Sequence, residues 1–259
     1  MPGGAVTLGF DSPTLAWIGL STLVAFTVRG LSGFGSALIG IGSLTMVLPP
    51  AQVIPAFFCI ELLTSVNLLP SVWRQIDWRS LRWVIGGCAL TTPLGLTLLA
   101  HLDPNPMRLV VSACLTTIAM LMLTGVAQRL TPSSTPGPLG ALAVGGASGV
   151  LNGAAGIPGP PAIVFYFATT GAVVSRATLI GFFFFTDLYG LAWAASTGLL
   201  AELGWKLIAA AVPFALLGLF IGHRLYVKLD EARLRRVIWA LLAVLGTAGT
   251  ARAVMRIVG

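Results

Sequence analysis

A chain of 259 residues in which 56% are hydrophobic and only 9% charged, with a mean hydropathy of +0.94, is not a water-soluble globule, since a soluble domain carries about a quarter charged residues. Fifteen Lys and Arg against eight Asp and Glu give a net charge of +7, but they stand singly or in short clusters between apolar runs rather than on one polar face, which excludes a nucleic-acid binder and leaves charge as a topology signal. Cys59, Cys88 and Cys114 lie in apolar stretches without C-x-x-C spacing, so neither a disulfide framework nor a thiolate metal site is expected.

No Lys or Arg precedes Arg29, so the start lacks the basic region of a cleaved signal peptide, and the first apolar stretch is expected to remain in the protein. Two short segments, 15–28 and 32–48, are bordered or interrupted by Gly or Pro. Three ordinary spans follow at 52–72, 81–100 and 107–127, each near the 20 residues a transmembrane helix needs. After a Pro- and Ser-rich linker at 131–138 the order repeats, with short segments at 139–151 and 155–170 and long ones at 175–200, 205–226 and 234–254.

The predicted architecture is an all-α polytopic membrane protein of two repeats, 1–130 and 139–259. Each is a pair of short broken or re-entrant segments followed by three transmembrane helices. Trp78 and Arg79 match Trp205 and Lys206, Gly95 matches Gly222, and Arg108 matches Arg235 at one offset (205 − 78 = 127). Ser32 with Asn152, Gly33 with Gly153, and Asn67 with Asp187 fit another (187 − 67 = 120). Chance similarity between apolar segments is the alternative.

Arg74, Arg79 and Arg82 flank the turn between the third and fourth segments, whereas the matching second-half loop holds only Glu202 and Lys206. The bias returns one loop later with Arg224, Lys228, Arg233, Arg235 and Arg236. Because Lys and Arg mark cytoplasmic loops, the halves are expected to be inverted with the amino terminus outside, although Arg252 and Arg256 oppose that scheme.

The breaks carry the chemistry. One reads Arg29-Gly30-Leu31-Ser32-Gly33-Phe34-Gly35-Ser36, and the other runs from Gly149 through Asn152, Gly153, Gly156 and Gly159 to Pro160 and Pro161. Discontinuous helices in transporters present free N–H groups at their amino-terminal ends near the bilayer midplane, where an anion is the favoured ligand. Arg29, Ser32, Gly33, Phe34, Gly35, Ser36, Asn152, Gly153, Gly156, Gly159 and Pro160 are therefore candidate substrate-binding residues. Helix packing through small residues is the competing account of the glycines, and snorkelling to the interface that of Arg29 and Arg176.

Glu61 and Asp187 are acids near the middle of long segments, with Thr64, Asn67, Thr186 and Tyr189 beside them at helical spacing. Buried acids need a reason, so both are candidates for proton coupling, in the sense of proton and anion moving together; capping a broken helix is the structural alternative. His101 and His223 fall at helix ends, and the run Phe182 to Phe185 faces all directions as packing surface.

At these residues the chain resembles the sulfite exporter TauE/SafE family. The stretch from Gly153 to Gly159-Pro160-Pro161 is similar to that family's G-x-x-G-x-x-G-P-P, and the run from Gly30 through Gly35 to Pro49 is similar in layout, with Ser36 where consecutive glycines are common. The resemblance implies a plasma-membrane exporter, in the bacterial inner membrane, of small sulfur-containing anions such as sulfite, sulfoacetate or related organosulfonates. No phosphate-binding loop is present to drive pumping, so gradients supply the energy. The expected partners are a small organic or inorganic anion and the bilayer, with the chain acting as a monomer or homodimer and with no cofactor. A non-transporting membrane scaffold is the alternative. An intramembrane enzyme lacks the His-based motifs it requires.

Overall fold

The computed structural model describes residues 9–101, 137–196 and 202–228. Among these residues there are eight α-helices and no strand: α1 (Ser12–Ser32), α2 (Ser36–Leu44), α3 (Pro50–Val72), α4 (Trp78–His101), α5 (Pro138–Ala155), α6 (Gly159–Thr169), α7 (Ala172–Ser196) and α8 (Glu202–Val227), with a single 3₁₀ turn at Trp73–Gln75. The stretches Ser12–Ser32, Pro50–Gln75, Ala172–Ser196 and Gly204–Val227 are long and apolar enough to cross a bilayer. The segments expected at 107–127 and 234–254 lie outside the described residues.

The short first segment expected at 15–28 is instead a 21-residue helix, about 31 Å at 1.5 Å per residue and long enough to span. Gly30 does not end it. The helix stops at Gly33, whose φ of 84° places it in the left-handed region and whose N–H donates to Arg29 O at 2.7 Å, the geometry glycine adopts without steric cost. Likewise α5 runs 18 residues, starts on the last residue of the expected linker, and ends at Gly156 (φ 66°), whose N–H donates to Asn152 O at 2.8 Å. Among the described residues only α2 and α6, of 9 and 11 residues, are half-helices.

The two cap glycines are 123 positions apart (156 − 33), as are the first residues of α2 and α6 (159 − 36). Counted from the cap glycines, Arg29 corresponds in position to Asn152 and Gly33 to Gly156, three residues away from the pairing that residue identity suggests. The turns themselves are equal, three residues each at 33–35 and 156–158, so the whole break shares this offset.

The long helices meet through glycine. α1 lies on α8, where a β-carbon on Gly30 would come within 2.5 Å of Leu219 O and 3.0 Å of Gly222 Cα. α4 lies on α5, where one on Gly95 would meet Ala154 N at 2.5 Å and Gly153 Cα at 2.8 Å. Such close backbone approach is the packing that small residues permit in membranes, where lipid tails remove the hydrophobic drive between helices. α3 packs against α7.

Two apolar clusters result, one around Phe26, Ile41, Ile54 and Phe57, the other around Val84, Tyr166, Leu179 and Phe182. Leu90, Leu94, Leu217 and Phe220 point outward, as a lipid-facing surface requires. Arg176, 1% exposed, does not snorkel. It donates from Nε to Leu31 O at 3.2 Å and from Nη2 to Gly30 O at 2.8 Å, with its guanidinium 3.6 Å from the Tyr226 ring. It therefore satisfies carbonyls that the last turn of α1 leaves unpaired, at the end where a cation is favoured.

Candidate functional site

Arg29 is fully buried one turn before the break after α1. Its Nη1 lies 2.7 Å from Glu61 Oε2 and 3.2 Å from Ser36 Oγ, and its Nη2 donates to Ser65 Oγ at 2.6 Å. Ser36 in turn donates to Glu61 Oε1. The Phe183 ring centroid is 5.0 Å from the guanidinium carbon, within cation–π range. Three helices therefore supply the polar cluster, from the end of α1, the first residue of α2 and two positions one turn apart on α3, and α7 adds the ring.

A small cavity opens beside it, between the first turns of α2 and α6. Arg29, Ser36 and Glu61 supply its polar lining, Gly35, Gly159 and Pro160 bring backbone to it, and Leu38, Ile157, Ile163 and Phe183 supply apolar side chains. The free space is about 10 Å³, room for about one water, so the site is closed around its own charges. The two half-helices are unequal donors. No side chain caps α2, which leaves its first N–H groups for a ligand, whereas the first turn of α6 contains Pro160 and Pro161 and offers fewer.

Of the candidates from sequence, the cavity brings together Arg29, Gly35, Ser36, Gly159 and Pro160 with Glu61. The others stand behind it. Ser32 is engaged in its own turn, with Oγ 2.8 Å from both Val28 O and Phe34 O. Phe34 is buried edge-on to Phe167 at 6.0 Å. A β-carbon on Gly33 would meet Arg176 Cγ at 2.9 Å, one on Gly156 would meet Ile41 Cδ1 at 2.8 Å, and one on Gly153 would meet the α4 backbone at Thr92 and Leu96.

Asn152 is buried, donating from Nδ2 to Thr186 O at 3.3 Å while Oδ1 has no partner among the described residues. Asp187, 2% exposed, interacts with the Glu61 carboxyl and leaves Oδ2 unpartnered among the described residues. The two central acids thus lie together where α3 packs against α7. The side chains of their four expected companions bond elsewhere: Asn67 is exposed and donates to Leu63 O, Thr64 to Glu61 O and Thr186 to Phe183 O, and Tyr189 lies near Trp193.

Sequence reasoning passed over Ser65 and treated Phe183 as packing. Each had a signal in its helical spacing, since Ser65 is four residues after Glu61 and Phe183 four before Asp187, which puts each on the face of its acid. Ile157 and Ile163 had none.

Comparison with known proteins follows the same lines. The family described as sulfite exporter TauE/SafE matches residues 18–248. A protein of Cupriavidus necator described as "Probable sulfite/organosulfonate exporter TauE" is 28% identical over 228 residues, covering 85% of this chain and 86% of that protein. No solved structure matches.

Proposed function

This chain belongs to the sulfite exporter TauE/SafE family, and we propose that it exports small sulfur oxyanions, sulfite and organosulfonates such as sulfoacetate, by alternating access with proton coupling. Family membership and four helices apolar enough to cross a bilayer make it a multi-pass transporter of the bacterial inner membrane, and not an enzyme. The observation that carries the reading is the buried Arg29 in a cavity between two half-helices. A guanidinium presents a planar fork of donors suited to an oxyanion, and uncapped N–H groups at a helix start add a partial positive charge.

In this reading Arg29, Gly35 and Ser36 from one hairpin and Gly159 and Pro160 from the other contact the anion as the cavity widens. Ser32, Gly33, Phe34, Asn152, Gly153 and Gly156 shape the turns behind it, and Glu61 and Asp187 carry the proton. Residues 1–130 and 139–259 form two inverted repeats that rock about the contact of α3 and α7, with the loop holding Arg74 and Arg79 in the cytoplasm. Repeats of opposite topology, each contributing a broken helix to a shared midplane site, are the arrangement such transport uses. The chain acts alone or as a homodimer.

Counterflow of a labelled organosulfonate in proteoliposomes tests the proposal. The parent protein is expected to exchange it and Arg29→Gln to lose exchange by at least tenfold. A parent without exchange of any sulfonate or sulfite refutes the reading and leaves a membrane scaffold.

A further inference from the structure

The partner of Arg29 in the closed cavity is supplied by the chain itself. Glu61 Oε2 is 2.7 Å from Nη1, and Ser36 bridges the pair, accepting from Nη1 and donating to Glu61 Oε1. These are also the groups an incoming oxyanion needs, a guanidinium fork and a hydroxyl at the start of a half-helix. A sulfonate entering the cavity and the Glu61 carboxylate therefore compete for one set of donors.

Glu61 is not held in isolation. The Asp187 carboxyl adjoins it, buried, with an oxygen that has no partner among the described residues. The titratable groups facing this cluster are Arg29 from α1, Glu61 from α3, Asp187 from α7, and Cys88 from α4, which faces Asp187. α2 and α5 contain no titratable side chain. Tyr166 of α6 is turned to Ser80, and His223 of α8 faces Arg176 and Arg224. One cation thus serves two acids, away from water.

We infer that Glu61 occupies the substrate's place on Arg29 in the empty transporter, and that an oxyanion displaces it while the Glu61–Asp187 pair takes up one proton. The charges balance. The anion is neutralised by Arg29. The charge of the displaced Glu61, left beside Asp187 without a cation, is neutralised by a proton from the compartment to which the site is open. On the far side the anion leaves, Glu61 returns to Arg29, and the proton departs with it. One anion and one proton move together, so transport is electroneutral, and the re-formed ion pair keeps the empty site shut. This rests on the anion-export reading and adds the internal competitor and the one-to-one stoichiometry.

Ethanesulfonate is the probe of choice, since it is fully ionised and any proton taken up belongs to the protein. Adding it to the purified full-length parent in weakly buffered detergent at pH 7.5 is expected to take up one proton per anion bound. Affinity is expected to fall tenfold for each unit rise in pH. Glu61→Gln is expected to bind with pH-independent affinity and no proton uptake. Because that variant leaves Arg29 without its carboxylate and can fail to fold, a second measurement uses the parent alone. Its ethanesulfonate flux in proteoliposomes is expected to be unchanged when a 100 mV potential is imposed, whereas the accumulation ratio of a bare anion shifts about fiftyfold. Binding without proton uptake, potential-dependent flux, or proton uptake that persists in a folded Glu61→Gln protein overturns the inference and leaves anion export standing. Absence of both binding and flux with ethanesulfonate and with sulfite overturns both.

Discussion

Removing either partner of the Arg29–Glu61 pair separates its structural from its functional weight. The two side chains are 1% and 4% exposed, so Arg29→Met alone leaves a buried carboxylate, and Glu61→Gln alone a buried guanidinium. Loss of one partner of a buried pair costs about 3–5 kcal/mol, and at 1.4 kcal/mol per factor of ten the folding equilibrium falls more than a hundredfold. The double variant Arg29→Met with Glu61→Gln removes both charges of the pair. Its cavity side chains remain similar in volume, and the Ser36 hydroxyl keeps an amide partner. It is expected to lie within about 2 kcal/mol of the parent, so the cycle carries a coupling of several kcal/mol. Thermal unfolding in detergent, followed by tryptophan fluorescence, measures the stabilities, and sulfonate counterflow measures the activity. The expected result is a double variant that folds like the parent and does not transport. Additive losses of stability would refute the paired geometry, and a double variant with normal transport would refute the role of Arg29 in binding.

The glycine contact between α1 and α8 makes a second prediction. Gly30→Ala drives a β-carbon to 2.5 Å from Leu219 O, which is backbone and cannot retreat unless the helices part; a loss of about 2–3 kcal/mol is expected. Gly86→Ala, whose nearest atom is Leu142 Cδ1 at 3.9 Å, should stay within about 0.5 kcal/mol of the parent, and equal unfolding temperatures for the two would contradict the packing. Gly156→Leu combines a φ of 66° with a β-carbon 2.9 Å from Ile54, so it is expected to lose stability as well as transport; a variant as stable as the parent would show that the left-handed cap is absent. For topology, a cysteine at the exposed Gln75 is expected to react with an impermeant thiol reagent only after cells are opened, and labelling in intact cells would place that loop outside.

Much of the site is legible from side-chain type alone. An Arg at the first break and two acids within apolar runs are each costly in lipid and call for a partner, and Arg29, Glu61 and Asp187 do come together in the fold. The glycine-rich breaks mark where helix gives way to turn, and Gly33 and Gly156 do end α1 and α5.

Hydropathy and composition by themselves determine that the protein is helical and membrane-spanning, because backbone polar groups in lipid must be paired within the segment. They do not determine which glycine serves which purpose. Gly30, Gly33 and Gly35 lie within six residues of one another, yet one packs against α8, one caps a helix, and one lines the cavity. That division depends on which helix lies opposite, a long-range fact no local pattern encodes. The same holds for Arg29 and Arg176. Both sit beside apolar runs and both are buried, but only the tertiary structure turns one toward Glu61 and the other toward the carbonyls of Gly30 and Leu31. The first pairs with a carboxylate beside a cavity and the second with carbonyls of the last turn of α1, and this difference in what each cation neutralises is why Arg29 is the one proposed to bind the anion.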